Sequence, residues 1–353
     1  MKNARIVSFA RTSFVLLGAL LLLFLFKDVD GPATLDVISR TGFFVIPIVG
    51  MYFIGGICET FAWRSLFPGG RTIPFFRLLL IHFAGESLYR FLPAGAVAGE
   101  SLKVILVKKH FALSSPVIIS SLTVRKFLMG FAQALYIAGA VAAGMAFSNS
   151  GGMSTLELTG IVIAVSLLAL FTAFGILMSK GSLFERLVRL MTLFPSKRVR
   201  VFFSDRREQL LEIDSLLRSF ISNNKKTSAA ALFLFFLGWG TEFAETFFIL
   251  AALAVFPAVS QIMLFEPVIS FFRSVVFFIP GGLGMMDVGY AASLKSFGIH
   301  NAVTTAAAFI LLKRGKEIFW IIVGVAAAWM LGRQTNSNAD SELPRCTVAG
   351  ETF

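Results

Sequence analysis

Cysteine, histidine and acidic residues are all scarce in this chain of 353 residues. Its two cysteines, Cys58 in an apolar stretch and Cys346 near the C-terminus, exclude a disulfide framework or a cysteine-based zinc site. The three histidines are scattered and show no HExxH-type spacing, so neither a metal site nor a cofactor is predicted. A phosphate loop of the GxxxxGKS or GxxxxGKT type is also missing, which predicts a protein without an ATP site of its own.

Hydrophobic residues, by contrast, are abundant. They make up 56% of the chain, which contains 40 phenylalanines, has a mean hydropathy of +0.81 and carries only 15% charged residues. Soluble domains contain roughly 45–50% apolar residues. The composition therefore predicts a polytopic membrane protein.

Basic residues exceed acidic ones and give the chain a net charge of +12. Eleven of the 32 lysines and arginines lie between Lys180 and Lys226, in a polar loop that has only five acidic residues. Such a basic block between hydrophobic runs marks the cytoplasmic side of a membrane protein and predicts contact with an anionic leaflet surface. Its placement argues against a nucleic-acid partner.

Apolar runs of about 20 residues, the length that crosses a bilayer, predict six transmembrane helices. Basic loops alternate with loops poor in lysine and arginine, which places both termini in the cytoplasm of an inner-membrane protein. The basic N-terminus lacks a small-residue cleavage site after Phe26, so we interpret the first run as a retained helix. The predicted transmembrane helices are 12–26, 42–62, 116–147, 158–179, 229–256 and 300–332.

Two short segments, 93–100 and 280–287, share a pattern that is unusual in hydrophobic sequence. Each reads proline, small residue, glycine and then, after four mostly apolar or small residues, a carboxylate. Each also follows an arginine embedded in apolar sequence, Arg90 or Arg273. Proline and glycine break helices, so each segment predicts the turn of a re-entrant hairpin. The predicted turn residues are Pro93, Gly95, Pro280, Gly281, Gly282 and Gly284.

The two hairpins, over 75–110 and 263–297, enter the membrane from opposite faces in this topology, and the first returns to the cytoplasmic surface at Lys103, Lys108 and Lys109. Each half then has three full spans, which relates the halves as an inverted-topology repeat. The predicted fold is an all-α integral membrane protein with about six transmembrane helices and two re-entrant helical hairpins. Its single membrane domain is 1–333, with repeats at about 10–150 and 158–332, a cytoplasmic loop at 180–228 and a disordered cytoplasmic tail at 334–353.

Two local questions stay open at the level of the sequence. The last hydrophobic run contains several charges, so either it breaks near Gly315 or its first half is part of the second hairpin. The segment 182–194 has apolar residues at i, i+3, i+4 and i+7 and predicts an amphipathic helix. That helix is either bound to the membrane surface or a solvated connector.

Charged residues within the hydrophobic runs predict the functional site, because each is costly in hydrocarbon unless it is paired or faces a water-filled cavity. Arginine matches phosphate with a bidentate fork, and chain breaks expose backbone N–H groups that attract anions. We therefore predict that a headgroup phosphate is bound by Arg90, Arg125, Arg273 and Arg314. The predicted charge-balancing, amine-binding or proton-binding residues are Glu86, Glu100, Glu242, Glu245 and Asp287.

A structural role for the same charges is the alternative. Glu86 and Arg90 are spaced i,i+4, and Arg314 and Glu317 i,i+3, so each pair could neutralise itself on one helix face. Arginine recurs 25 residues after Glu100 and 27 residues after Asp287, however. This repetition of a costly residue favours a shared site.

The stretch 86–100, the later 123–125, the turn 279–284 and the pair 313–314 resemble the transmembrane region of lysylphosphatidylglycerol synthetases. The resemblance covers about residues 10–332. That region also occurs as free-standing flippase-like membrane proteins, and some members are associated with hopanoid biosynthesis. The resemblance implies an inner-membrane protein that moves lipids or isoprenoid-linked molecules between leaflets. The chain differs from full-length synthetases because no aminoacyl-transferase sequence follows, and Ala94, Ala98 and Glu100 stand where glycine, glycine and aspartate are common.

These observations together predict a flippase-like lipid transporter that is not an enzyme. Its cargo would be a phospholipid, an aminoacylated lipid or an isoprenoid or hopanoid-type lipid, and its partners would be membrane lipids and lipid-biosynthesis enzymes. One alternative is a non-transporting accessory subunit of a lipid or hopanoid pathway. A second is an intramembrane transferase, although the sequence shows neither a DDxxD-type cluster nor paired histidines. The sequence leaves open the cargo, the direction and energy coupling of transport, and the oligomeric state.

Overall fold

The structure is a computed structural model that describes residues 31–67, 73–92, 95–147, 155–193, 197–259, 261–265, 269, 279, 282, 284–296 and 302–341. The regular elements in these ranges are helices, which confirms the predicted all-α class. A single 3₁₀ turn, Gly42–Phe44, precedes the second α-helix. The α-helices are α1 (Gly31–Ser39), α2 (Val45–Ser65), α3 (Phe75–Phe91), α4 (Gly95–Phe111), α5 (Ser115–Phe147), α6 (Thr155–Ser179), α7 (Leu183–Thr192), α8 (Lys197–Asp205), α9 (Arg207–Asn223), α10 (Lys225–Ala252), α11 (Met285–Ser296) and α12 (Ala302–Ser341).

Within the described residues, five helical segments are long and apolar enough to cross a bilayer. They correspond to five of the six predicted spans, and the sixth, 12–26, lies outside the described residues. The protein is therefore a multi-pass helical membrane protein, while the count of six spans stays a prediction. The five segments are Gly42–Ser65, Ser115–Ala143, Leu158–Ser179, Lys225–Ala252 and Val303–Arg333.

The first Pro-Gly segment joins two packed helices of 17 residues, α3 and α4. Leu92 ends α3 in an extended conformation, as expected for the residue before a proline; Pro93 itself lies outside the described residues. A Cβ atom on Gly95 would lie 2.2 Å from the carbonyl oxygen of Tyr89, and one on Gly99 would lie 2.5 Å from that of Gly85. The glycines therefore allow a tight hairpin in which the two backbones touch.

The second Pro-Gly segment is described in part, since Arg273, Pro280 and Gly281 lie outside the described residues. Gly282 and Gly284 have φ angles of +64° and +79°, in the left-handed region that glycine adopts without strain. They lead directly into α11, which packs against α12. Both positions thus have a backbone conformation that requires glycine, while the re-entrant turn itself stays a prediction.

Helices α2 and α10 pack along each other. A Cβ atom on Gly55 of α2 would lie 2.7 Å from the hydroxyl oxygen of Thr241 on α10, so the two helices approach closely at this point. The α3–α4 hairpin packs against α12, where a Cβ atom on Gly324 would lie 2.4 Å from the carbonyl oxygen of Phe83. Glycines thus set both contacts.

The last helix, α12, passes Gly315 without a break and extends through Ser341, into the segment predicted as a tail. The basic loop contains three helices, α7, α8 and α9, and α7 is the amphipathic helix predicted at 182–194. The apolar face of α9 packs against α5, α6 and α10 through Ile213, Leu217 and Phe220.

Candidate functional site

Arg125 of α5 is the centre of a buried ionic network, and its side chain is 0% exposed. One terminal nitrogen, Nη2, lies 2.6 Å from Glu59 Oε2, 3.7 Å from Glu86 Oε1 and 3.5 Å from the ring nitrogen Nδ1 of His82. The other terminal nitrogen, Nη1, lies 3.4 Å from Glu100 Oε1. One guanidinium group therefore connects α2, α3 and α4.

Two lysines complete this network. Lys103 Nζ lies 2.8 Å from Glu86 Oε1 and 3.2 Å from Glu100 Oε1, and Lys126 Nζ lies 2.8 Å from Glu100 Oε1. Because a buried charge must be compensated nearby, equal numbers of carboxylates and cations are the expected arrangement. We call these six residues the Arg125 cluster: Glu59, Glu86, Glu100, Lys103, Arg125 and Lys126.

A second network surrounds Arg314 of α12. Arg314 Nη2 lies 2.7 Å from Asp287 Oδ1 and 2.9 Å from Oδ2, while Nη1 lies 2.6 Å from Glu317 Oε2. The other oxygen of Glu317 lies 3.0 Å from Nη1 of Arg90, which belongs to α3. Asp287 is 0% exposed and also accepts the backbone N–H of Gly284, so it caps α11 as well. We call Arg90, Asp287, Arg314 and Glu317 the Arg314 cluster.

Glu245 of α10 holds a third group of charges. Its carboxylate is buried and lies 2.7 Å from Nζ of both Lys313 and Lys316 on α12. Lys316 also faces the ring of Tyr52, 5.1 Å from its centroid. These contacts attach the end of α10 to the last helix and to α2.

A cavity of about 150 Å³ lies between α2, α3, α5 and α10. Among the described residues that line it, Gly55, Gly56 and Gly238 leave part of the wall without side chains. Four of the lining side chains are carboxylates, two are cations, and aromatic rings lie beside them. The lining residues with polar or aromatic side chains are Tyr52, Glu59, His82, Glu86, Tyr89, Arg90, Lys126, Gln133, Phe235, Trp239, Thr241, Glu242 and Glu245.

Three of the four arginines predicted to bind phosphate are described. Arg90 lines the cavity and shares Glu317 with Arg314, and Arg125 binds three carboxylates beside the cavity. The fourth, Arg273, lies outside the described residues. An incoming phosphate would have to compete with the carboxylates already bound to the three described arginines, so the phosphate role of all four stays a prediction.

The predicted carboxylates divide into two groups. Glu86, Glu242 and Glu245 line the cavity. Glu100 and Asp287 instead bind the arginines that follow them by 25 and 27 residues, at 3.4 and 2.7 Å. The regular spacing noted in the sequence thus corresponds to an equivalent contact in each half.

Some of the site was missed at the level of the sequence. Lys103 was predicted at the cytoplasmic surface, which is wrong because its side chain is 1% exposed and binds two carboxylates. Its spacing of three residues from Glu100 could have indicated this contact. Lys316, which shares a helix face with Lys313, was missed as a partner of Glu245.

A repeated tripeptide was missed as well. Glu59-Thr60-Phe61 on α2 recurs as Glu245-Thr246-Phe247 on α10, 186 positions later. The same offset relates Gly55 to Thr241, the two residues that touch where α2 crosses α10. Glu100 and Asp287 are 187 positions apart. A nearly constant offset therefore relates three pairs of positions: the turn carboxylates, the glutamates of the tripeptides, and the residues that touch where α2 crosses α10.

Five apolar spans, buried ionic clusters and a charged cavity between the helices define a multi-pass α-helical membrane protein with a polar interior. The chain belongs to the lysylphosphatidylglycerol synthase TM region family, whose family model matches residues 12–326. It is also 22% identical over 301 residues to the UPF0104 membrane protein PH1989 of Pyrococcus horikoshii, an alignment that covers 83% of this chain and 89% of that protein. No solved structure gives a significant match. The family resemblance deduced from the sequence is thereby confirmed.

Proposed function

We propose that the protein is a flippase-like transporter that moves a lipid with a charged headgroup between the leaflets of the inner membrane, with both termini in the cytoplasm. The observation that carries this proposal is the charged cavity enclosed by α2, α3, α5 and α10. Charged side chains in the hydrocarbon region are costly unless they pair or line a polar path. A lipid headgroup is a cargo that needs such a path, while its acyl chains stay in the bilayer.

The lining of the cavity suits a headgroup that carries both signs of charge. Arg90 and Lys126 supply cations for a phosphate, which would replace Glu317 and Glu100 as their partners. Glu242 and Glu245 supply carboxylates for an amine or a proton, and Glu245 takes this role only when it leaves the two lysines that it binds. In this arrangement Arg125 and Arg314 hold carboxylates in position, which is the structural role that the sequence offered as the alternative. A zwitterionic or aminoacylated phospholipid fits this lining better than a singly charged anion.

The cavity volume of about 150 Å³ is small for a ligand site, since occupied pockets measure roughly 300–1,000 Å³. We infer that the cavity widens when cargo enters. The ion pair between Arg90 and Glu317 spans the first hairpin and the last helix, so it would separate if the halves moved apart. This is how an alternating-access transporter opens toward one side.

The repeated offset of 186–187 residues supports two copies of one unit around the contact between Gly55 and Thr241. At 1.5 Å per residue, α3 and α4 are each about 25 Å long, whereas the hydrocarbon core is about 30 Å thick. This length supports a hairpin that re-enters from one face. An inverted pair of such units would let the same site face either leaflet in turn.

A flux assay tests the proposal. Purified protein is reconstituted into liposomes that contain fluorescent phosphatidylethanolamine, phosphatidylglycerol or lysyl-phosphatidylglycerol, and a membrane-impermeant reductant reports how much lipid reaches the outer leaflet. We expect Arg90→Gln and Glu242→Gln to lower the rate by at least about tenfold, the factor that corresponds to the loss of 1.4 kcal/mol. The matched control is Asp36→Asn, which removes an exposed carboxylate of α1 outside the cavity.

Rates equal to those of protein-free liposomes for every lipid would refute the transporter proposal. Stable co-purification with a lipid-biosynthesis enzyme, without flux, would favour the accessory role. Turnover of a lipid-linked substrate by the purified protein would favour the intramembrane transferase. Equal rates for the wild type and Arg90→Gln, with flux present, would show that the cavity is not the path.

A further inference from the structure

We propose that α7 is a docking helix for anionic phospholipid headgroups of the leaflet on its own side of the membrane. This binding surface is separate from the cavity and does not depend on the proposed transport. We define the α7 face as Arg186, Leu187, Arg189, Leu190 and Leu193.

The position of α7 is set by a carboxylate from another helix. Asp214 of α9 is 2% exposed, and its two oxygens accept the backbone N–H groups of Phe184 and Glu185 at 3.0 and 2.9 Å. These are first-turn N–H groups, which the helix itself leaves without acceptors. The residue at the N-cap position, Ser182, makes no side-chain cap. The buried charge of Asp214 therefore replaces the local cap and fixes α7 to α9.

This attachment turns one apolar face of α7 inward and leaves another outside. Leu183 and Phe184 pack against the core formed with α9 and α10, and Val188 is buried. Leu187, Leu190 and Leu193 are instead 36, 60 and 81% exposed. Their spacing of three residues places them along one stripe of the helix. Large apolar side chains that line one stripe on a surface indicate a partner.

The charges beside this stripe indicate which partner it is. Arg186 and Arg189 are exposed, and their spacing from Leu190 and Leu193 places them next to the leucines. Arg189 also pairs with Glu185 at 2.6 Å. Arg200, exposed on the adjacent α8, adds a further cation. An amphipathic helix with leucines on one side and arginines along its border is typical of binding to anionic lipid headgroups.

The location of α7 favours lipid over a soluble protein. The span that contains α6 ends at Ser179, and Gly181, with a φ angle of +60°, turns the chain so that α7 begins at Leu183. At roughly 3.5 Å per residue, the start of α7 lies within about 14 Å of the end of that span. The surface of the bilayer is therefore the nearest large apolar partner for the exposed leucines.

The test measures where Leu190 lies in the full-length protein. Cys58 and Cys346 are replaced by serine, and Leu190→Cys is labelled with an environment-sensitive fluorophore. The protein is placed in nanodiscs of phosphatidylcholine alone or of an equimolar mixture with phosphatidylglycerol. We expect a blue-shifted emission and protection from aqueous acrylamide, a neutral quencher, in the mixture, both reduced at high ionic strength.

Charge variants separate binding to anionic lipid from simple insertion of the label. Arg186→Gln and Arg189→Gln are each expected to lower the equilibrium constant for docking of α7 about fivefold. This constant is the ratio of protected to accessible label. Arg40→Gln, which removes an exposed arginine just after α1, is the matched control and should change nothing. Equal protection in both lipid compositions would overturn the choice of anionic headgroups. Free access of acrylamide in both compositions would overturn docking to lipid.

Discussion

The Arg125 cluster and the ion pairs of the second half contain equivalent residues that are paired differently. In both halves, a carboxylate that follows a Pro-Gly turn binds an arginine on a later long helix, and a glutamate of a Glu-Thr-Phe tripeptide binds a cation of that helix. In the first half, Arg125 binds both carboxylates. In the second half two cations share these contacts, since Arg314 binds Asp287 while Lys313 binds Glu245.

The two halves also differ in the burial of their turn carboxylates. The side chain of Glu100 in the first half is 23% exposed. Asp287 in the second half is 0% exposed and also accepts the backbone N–H of Gly284 at the start of α11. If the halves are copies of one unit, this asymmetry is what a single state of an alternating-access protein would show. The comparison therefore predicts different responses to equivalent substitutions.

The largest difference is expected for the two arginines. Arg125→Ala leaves three carboxylates without their shared guanidinium group and should lower the free energy of unfolding by about 3–5 kcal/mol, the range for breaking a buried ion pair. Arg314→Ala should cost less, because the Arg314 side chain is partly exposed and binds two carboxylates. Denaturant titration in mixed micelles measures both values. A larger loss for Arg314→Ala would reverse the proposed order.

For the two turn carboxylates, the larger loss of unfolding free energy is expected in the second half. Asp287→Asn removes a fully buried carboxylate that binds Arg314 and caps α11, and should cost about 3 kcal/mol. Glu100→Gln should cost about 1.5 kcal/mol, because Glu59 and Glu86 still hold Arg125 and Lys103. Lys126, which pairs with Glu100, is 39% exposed and can be solvated instead. The same titration applies. Equal losses of unfolding free energy would show that the remaining residues of each cluster compensate the lost carboxylate to the same degree.

Glycine substitutions compare the packing of the two hairpins. Gly99→Ala places a methyl group 2.5 Å from a backbone oxygen of α3 and should destabilise the protein by about 1–3 kcal/mol. Gly289→Ala on α11 meets its nearest neighbour at an ordinary 3.7 Å. It should be neutral or stabilise the helix by up to about 1 kcal/mol. Thermal unfolding midpoints would show the contrast, and a stabilising Gly99→Ala would contradict the tight hairpin.

The smallest effect serves as a reference for the others. Asp36→Asn removes the partner of Arg40 on the exposed surface of α1. Exposed ion pairs contribute little because water and salt screen them, so the free energy of unfolding should change by less than about 0.5 kcal/mol. A loss comparable with that of Glu100→Gln would mean that the difference between buried and exposed pairs has been overstated.

The sequence predicted those features that depend on local pattern. Hydropathy located five spans that the structure describes, the break at 93–95 located the first hairpin, and periodicity located α7. Each of these rests on short-range rules of helix length, helix breaking or helix periodicity. The matched spacing of Glu100 and Asp287 from Arg125 and Arg314 favoured a shared site, but it did not predict the contacts that the structure contains.

The partners of the buried charges could not be predicted in the same way. The sequence suggested that Glu86 pairs with Arg90. In the structure Glu86 instead binds Lys103, and Arg90 binds Glu317, which is 227 residues away. Which partner a charge finds depends on which helices touch, and glycines such as Gly99 and Gly324 determine this by allowing backbones to meet. By contrast, the pair Arg314–Glu317 forms as its spacing suggests, because both residues lie on one helix.

The composition of the Arg125 cluster has a consequence for energetics. Its three carboxylates and three cations sum to zero formal charge. Moving one unit charge through the membrane potential changes the energy by about 2.3 kcal/mol per 100 mV, but a neutral assembly that shifts as one body does no electrical work. Movement of the cluster as one body would therefore contribute nothing to voltage dependence. Voltage would act on charges outside the cluster, such as Arg90 on α3, and on steps that pull the ion pairs apart.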